Sequence, residues 1–412
     1  MTLHQFLNTS YTAYHTTANI CEILDKNGFA KLTLGQDWDL KTNGKYYVTC
    51  NGSSVVAFVL GKRTVFNVCE SHTDSPSFKV KGNGVITGNG VSRVNTEKYG
   101  GGLLYSFFDR QLKIAGRIAE KTENGIVQRL YTSDYNVVIP SLAIHHNPTA
   151  NDNFSVNAQC DSLPVFGINQ SDVYKRCGTD VVDADLYVVP ATEAFVAGAD
   201  NELLCSARLD NLTSVYSSIT ALCHCNPTDI AVCACLDNEE VGSGTRQGAP
   251  DFIDAVLSYL SVQLCLSETE KLFARENGFV LSVDNGHAVH PAHPEKSDPV
   301  FKTYMGKGVV VKHNVNYSTD GVTSALFKRI LDEAGVPCQD YYNNSAVRCG
   351  STLGLATARR LGMKACDIGI AQLAMHSACE TCAIADVNRM TDAVKAFFQA
   401  ALSDNGETLT IK

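Results

Sequence analysis

Several ionisable side chains stand directly after apolar, strand-like runs. The run TVFNVCES (64–71) leads into His72-Thr73-Asp74, and the run at 229–236 into Asp237-Asn238-Glu239-Glu240. The run at 279–283 ends at Asp284, and the loop after 364–370 carries Met375-His376. Asp210 lies where LLCSARL meets a helical pattern. In open α/β sheets ligands gather at the carboxyl ends of strands, so these residues are expected to converge. Each feature alone recurs by chance, but together they form a nitrogen and oxygen donor set without thiolate. Such a set suits a pair of zinc ions, with manganese or cobalt as substitutes.

Two divalent ions about 3.5–4 Å apart need a bridging carboxylate, plus a terminal carboxylate and an imidazole each. His72, Asp210, Glu240, Asp284 and His376 supply those five ligands. Glu239 is left unligated and is the candidate general base, taking a proton from a water bridged between the ions. Asp74, two residues beyond His72, is expected to fix the imidazole tautomer from behind. This chemistry is hydrolysis of an amide or ester carbonyl.

Other motifs read more plainly. Cys349-Gly350-Ser351 has no orienting pattern for a nucleophilic thiol. Tyr99-Gly100-Gly101-Gly102 lacks the Gly-Lys-Ser/Thr of a phosphate loop, and is expected to give a tight turn or a close subunit approach. His287, His290 and His293 are interrupted by Pro291 and Pro294 and read as a loop, with His287 nearest the site. The pairs Cys223/Cys225 and Cys233/Cys235 read as small buried hydrophobes on a helix end and a strand.

The positioning elements follow from periodicity. A helix is expected over about 4–27, then strands at 46–50, 54–60 and 64–71. From about 85 to 204 the chain is rich in Gly, Asn and Val with short alternating runs, a β-rich insertion. After 205, helices near 211–224, 249–263, 320–335 and 387–402 alternate with strands near 229–236, 279–284, 308–313 and 364–370. That order predicts an α/β fold: a mixed, largely parallel sheet flanked by helices, formed by 1–84 and 205–412 and interrupted by the insertion.

Composition narrows the partners. The 412 residues carry 43 acidic against 34 basic side chains, a formal charge of −9, which disfavours nucleic acid and anionic membranes. No basic start followed by an apolar block opens the chain, and no run approaches 18 apolar residues, so a cytoplasmic protein with reduced thiols is expected despite 16 cysteines.

The segments SHTDSPSFKVK, EKYGGGLLYSFFDRQLKIAGRI, IPSLAIHH, ARLDN, DNEEVGS, SVDNGHAVHP, CGST and DIGIAQLAMHS resemble, in order and spacing, the motifs of the aspartyl aminopeptidase family. The resemblance spans about His15 to Ser377. It implies a metallopeptidase domain with an inserted dimerisation domain, assembled into a tetrahedral dodecamer, that removes N-terminal Asp or Glu with two zinc ions. It implies Asp210 as the bridging ligand, His72 with Glu240 on one ion, and Asp284 with His376 on the other. It further implies that Lys312 meets the acidic substrate side chain, that Tyr317, Gly350 and Ser351 line the pocket, and that His145 serves a neighbouring subunit's site. The chain departs from the family in a shortened loop, KHNVNYSTD, in Arg348 before CGST, and in Ala378-Cys379-Glu380 after MHS. These departures bear on substrate preference, not on the ligands. Two other readings stay open: a two-metal aminopeptidase preferring neutral or basic N-termini, and a non-catalytic, shell-forming, cargo-binding protein.

Overall fold

The computed structural model describes residues 1–411. A nine-stranded sheet runs in the order Ala30–Leu32, Lys45–Cys50, Ser54–Val59, Ile230–Leu236, Phe66–His72, Phe279–Val283, Lys364–Gly369, Val309–His313, Cys338–Tyr342. The central four, from Ile230–Leu236 to Lys364–Gly369, are mutually parallel. Antiparallel pairs flank them on both sides, which makes the sheet mixed and largely parallel as expected.

The strand Ile230–Leu236 is apolar throughout because both faces are covered. Ala231, Cys233 and Cys235 enter one core with the helices Leu209–His224 and Ile384–Gln399. Ile230, Val232, Ala234 and Leu236 enter the other, against Asp251–Gln263 and Leu353–Leu361. Phe397 and Phe398 are fully buried, and each such side chain contributes about 1.5–3 kcal/mol through burial. Cys223 and Cys225 join Cys233 and Cys235 in the first core. Among the described residues no grouping suited to a metal contains a cysteine.

The insertion forms a six-stranded antiparallel sheet in the order Gly125–Thr132, Leu112–Thr122, Val181–Pro190, Ser77–Gly88, Val91–Tyr99, Val165–Gly167. It has its own core of Phe78, Ile114, Ile118, Leu186 and Val188. Its strands run from Ser77 to Pro190, so the sheet starts and stops earlier than the 85–204 texture suggests. The glycine-rich stretch marks the outer half of the first hairpin, whose inner half, SFKVK, alternates like any strand. Phe195–Ala197 and Leu203–Ser206 instead pair into a separate sheet that contains Glu380–Ala383.

Two other differences have local causes. The expected single N-terminal helix is two, Leu3–Thr9 and Ala13–Lys26. Hydroxyl side chains fill the break, and Asn19 Nδ2 donates to Thr9 Oγ1 and Ser10 Oγ, both at 2.9 Å. A helix at Glu268–Glu276 was absent from the pattern reading, although Ser267 and Glu270 form the reciprocal capping box that marks its start.

Glu70, inside the central strand Phe66–His72, gives the fold a testable pH dependence. It is fully buried; Oε2 accepts from Thr357 Oγ1 at 2.7 Å, and Oε1 has no partner. Burial pushes its carboxyl up to about 8; the Thr357 bond opposes this and Asp367 adds to it. A folded-state value above the unfolded one means that the folded protein holds the extra proton. Stability from this group is therefore complete below about pH 4.5 and lost as pH rises towards 8. Glu70→Gln is expected to gain stability relative to the parent between pH 5 and pH 8, by no more than a few kcal/mol. Denaturation midpoints that track in parallel across that range would refute it.

Candidate metal centre and substrate pocket

The central parallel strands deliver the ionisable residues to one edge. His72 ends Phe66–His72 and Asp284 follows Phe279–Val283, its immediate neighbour. Asn238, at φ 68°, turns the chain after Ile230–Leu236 into a short 3-10 turn, Glu239–Val241. Left-handed backbone is tolerated by Asn, which explains the residue type there. Asp210 sits in a non-helical break one residue into Leu209–His224, after Arg208 at φ 63°. His376 also lies at φ 66°. Non-glycine residues in this region are uncommon, and their clustering marks a site held by its surroundings.

The side chains converge on Asp210. His72 Nε2 is 3.3 Å from Asp210 Oδ1 and 3.5 Å from Asp284 Oδ1. His376 Nε2 is 3.4 Å from Asp210 Oδ2 and 3.5 Å from Glu240 Oε1. The nearest approaches set His72 beside Asp284 and Glu240 beside His376, where the resemblance implies His72 with Glu240 and Asp284 with His376; donor atoms of His72, Glu239 and Glu240 also lie within 4.8 Å of one another. Neighbouring strands bring His72 and Asp284 level. Glu240 lies four residues past Leu236, the strand residue in register with His72, and the turn carries it across to His376.

These distances fit shared cations better than hydrogen bonds. Two ligand atoms about 2.1 Å from one tetrahedral metal stand roughly 3.4 Å apart. Asp210 Oδ1 and Glu240 Oε1 are buried without a hydrogen-bond partner, a costly state unless something else neutralises them. The imidazoles are oriented for the task. His376 Nδ1 is 3.1 Å from the Gly101 carbonyl, and His72 Nδ1 is 3.0 Å from that of Asp74. A carbonyl only accepts, so each Nδ1 carries a proton and each ring turns its Nε2, the atom free to ligate a metal, towards Asp210.

Charge points the same way. Burial opposes protonation of His376, yet Asp210 and Glu240 drive it up to about 10, and His72 is likewise raised well above its usual range. Burial works against ionisation of Asp210, but the two histidines hold its carboxyl well below the usual carboxylate range. Glu240 is pushed well above its range, by burial first. Three carboxylates, of Asp210, Glu240 and Asp284, and two rings form a cluster that divalent cations would neutralise.

Asp74 organises the back of the site. Its carboxylate accepts the backbone N–H groups of Glu239 and Glu240, both at 3.2 Å, and the Tyr99 hydroxyl at 2.7 Å. Burial pushes Glu239 to about 7, with His72 pulling it down and Asp284, Asp74 and Asp210 raising it.

A cavity of about 260 Å³ opens in front. Its walls bring together His72, Asp210, Glu239, Glu240, Asp284 and His376 with His287, Lys312, Tyr317, Gly350 and Ser351. Lys312 is buried, its Nζ 3.5 Å from Asp284 Oδ2 and 5.6 Å from the Tyr317 ring centre. His145 is not among these residues; it is exposed, near Leu142 and Ile144, which are also exposed.

Two buried carboxylates at the site carry no role in the sequence reading. Glu380 accepts from the backbone N–H groups of Asp210 at 2.9 Å and His376 at 2.5 Å, fixing two members of the cluster at once. Asp367 accepts from Ser318 N at 2.6 Å and from Thr352 Oγ1, joining the loops that bear Tyr317 and Gly350-Ser351. A lone carboxylate in an apolar strand, CDIGI, and a glutamate four residues past His376 are the signals that mark them.

Comparison with known proteins agrees with this geometry. The profile of the family described as "Aminopeptidase I zinc metalloprotease (M18)" matches residues 6–398. A "Probable M18 family aminopeptidase 2" of Clostridium acetobutylicum is 34% identical over 409 residues, covering 93% of this chain and 94% of that protein. A "Probable aspartyl aminopeptidase" of Ricinus communis is 33% identical over 465 residues, covering 96% and 94%. The structure of the S. cerevisiae mApe1 dodecamer superposes with a TM-score of 0.83 at 25% identity, covering 96% of this chain and 95% of that one. No described helix is long and apolar enough to cross a membrane. The chain therefore belongs to the M18 aminopeptidases, a family of zinc metalloproteases.

Proposed function

We propose that this aminopeptidase removes N-terminal Asp or Glu from peptides at a two-zinc site held by His72, Asp210, Glu240, Asp284 and His376. The observation that carries the specificity is Lys312, a buried ammonium in the wall of the catalytic cavity whose nearest carboxylate is that of Asp284. A buried cation favours an anionic partner, and an acidic substrate side chain supplies one. The castor-bean relative named as an aspartyl aminopeptidase supports the same reading.

Zinc, when bound, supplies Lewis acidity towards the scissile carbonyl and lowers the pKa of the attacking water. The protein does the rest. Glu239 takes the proton from the water and returns it to the leaving nitrogen. His287 and Tyr317 flank the substrate, and Gly350-Ser351 bound the pocket beside Lys312. The exposed His145 serves the site of a neighbouring copy in a homo-oligomer, and the yeast dodecamer makes the tetrahedral assembly the reading we favour. A cytoplasmic location follows from the sequence reading.

The experiment is hydrolysis of aminoacyl chromogenic substrates by metal-stripped protein resupplied with zinc, manganese or cobalt. Metal-dependent cleavage confined to Asp and Glu substrates is expected. Metal-dependent cleavage of Leu or Lys substrates would overturn the specificity, and no cleavage with any metal would leave the non-catalytic shell.

A further inference from the structure

The segment Tyr99–Ser106, which leaves the inserted sheet at the end of strand Val91–Tyr99, touches the outer side of the ligand cluster at successive residues. Tyr99 is buried; its hydroxyl donates to Asp74 Oδ2 at 2.7 Å and accepts from Asn238 Nδ2 at 3.0 Å. Gly100, at φ +72°, lies against Glu240. A Cβ there would stand 3.0 Å from Glu240 Cβ and 3.3 Å from its Oε2. The Gly101 carbonyl takes the His376 Nδ1 proton at 3.1 Å. Leu103 N donates to the His376 carbonyl and Ser106 Oγ accepts from Ala378 N, both at 2.9 Å.

A tight turn that merely packs does not need this sequence of contacts. Glycine is favoured at position 100 for two independent reasons: the left-handed backbone, and the tight space beside Glu240, whose side chain would have to give by a few tenths of an ångström to admit a Cβ. The Gly101 carbonyl sets the His376 tautomer, and the Tyr99 hydroxyl fixes the carboxylate that in turn holds the Glu239 and Glu240 backbone. Hydrogen-bond partners behind metal ligands orient them and raise their affinity.

We infer that the strap Tyr99–Ser106 is a working part of the metal centre: zinc retention by Glu240 and His376 depends on the inserted sheet being seated on the catalytic domain. The inference deepens the two-zinc reading and rests on it. It assigns Tyr99, Gly100 and Gly101 as positioning residues, acting through Asp74, Glu240 and His376.

The test is zinc stoichiometry and affinity of the purified full-length protein, titrated in chelator-buffered zinc, with metal-free melting temperatures measured alongside. Gly90 provides the control, because it lies in the hairpin turn between Ser77–Gly88 and Val91–Tyr99 at φ +81° with nothing within 4 Å of an added Cβ. Gly90→Ala therefore imposes similar backbone strain without touching a ligand. Gly100→Ala is expected to retain one zinc per chain where the parent and Gly90→Ala retain two. Tyr99→Phe, which removes one hydroxyl and keeps the ring, is expected to weaken zinc binding about 10–100-fold, and it decides the matter if Gly100→Ala does not fold. Unchanged zinc binding in both strap variants, or equal loss in Gly90→Ala, would overturn the inference. A parent protein that binds fewer than two zinc ions would overturn the two-zinc reading itself.

Discussion

Glu239→Gln is expected to lower kcat by about two to four orders of magnitude, the usual range for a general base, while zinc content stays at the parental level. Gln keeps the shape of the side chain, and the backbone N–H of residue 239 still reaches Asp74 Oδ1. The Glu240 and His376 pair is untouched. What is lost is a carboxylate that accepts a proton and passes it to the leaving amine. Glu239 suits this role better than Glu240. Glu240 Oε1 is buried, 3.5 Å from His376 Nε2, in the group that contains Asp210, whereas Glu239 belongs to neither Asp210-containing group.

The same residue sets an acid limb. Burial pushes Glu239 up to about 7, and a general base works only when deprotonated. Activity should therefore fall as pH drops through that value, or through a lower one once divalent cations stand beside the carboxylate. The residual activity of Glu239→Gln should lack this limb. Parental kcat in the variant, or loss of zinc together with activity, would remove Glu239 as the base.

The residues that converge at the site were legible because of a property of parallel sheets. A strand buried on both faces reads as an unbroken apolar run, so its end is visible and the polar residues after it stand out. This located His72, Glu240 and Asp284, and the loop after 364–370 located His376. Which of these residues stand side by side was not legible, since it depends on strand order. Nothing local to SHTD or SVDNG says that their strands are neighbours, nor that the turn at Asn238 brings Glu240 to His376. Glu380 and Asp367 gave only weak signals for a related reason: they act on groups of distant segments, and a single buried carboxylate has little pattern to set it apart. The insertion was visible as a change in texture, but its limits were not. Its first strand begins as ordinary alternation before the glycines appear.

Lys312→Ala is expected to reduce kcat/KM for Asp and Glu substrates about 100- to 1,000-fold, with Leu and Ala substrates changed far less. Removing one partner of a buried ion pair costs about 3–5 kcal/mol, and each 1.4 kcal/mol is tenfold. A strand-end lysine that faced water could be lost without effect. The structure places Lys312 inside, on the strand Val309–His313, over the ring of Tyr317. Gly286 leaves space beside the stem, since a Cβ there would stand 3.6 Å from Lys312 Cε. The complication is Asp284, whose Oδ2 is 3.5 Å from Nζ. Losing the lysine could loosen a ligand instead of a substrate, and that would depress every substrate alike. Zinc content and the ratio of Asp to Leu turnover separate the two effects. A fall confined to acidic substrates at constant zinc identifies the ammonium as the specificity element. An equal fall across the panel assigns Lys312 to Asp284 and leaves the acidic preference without its cation.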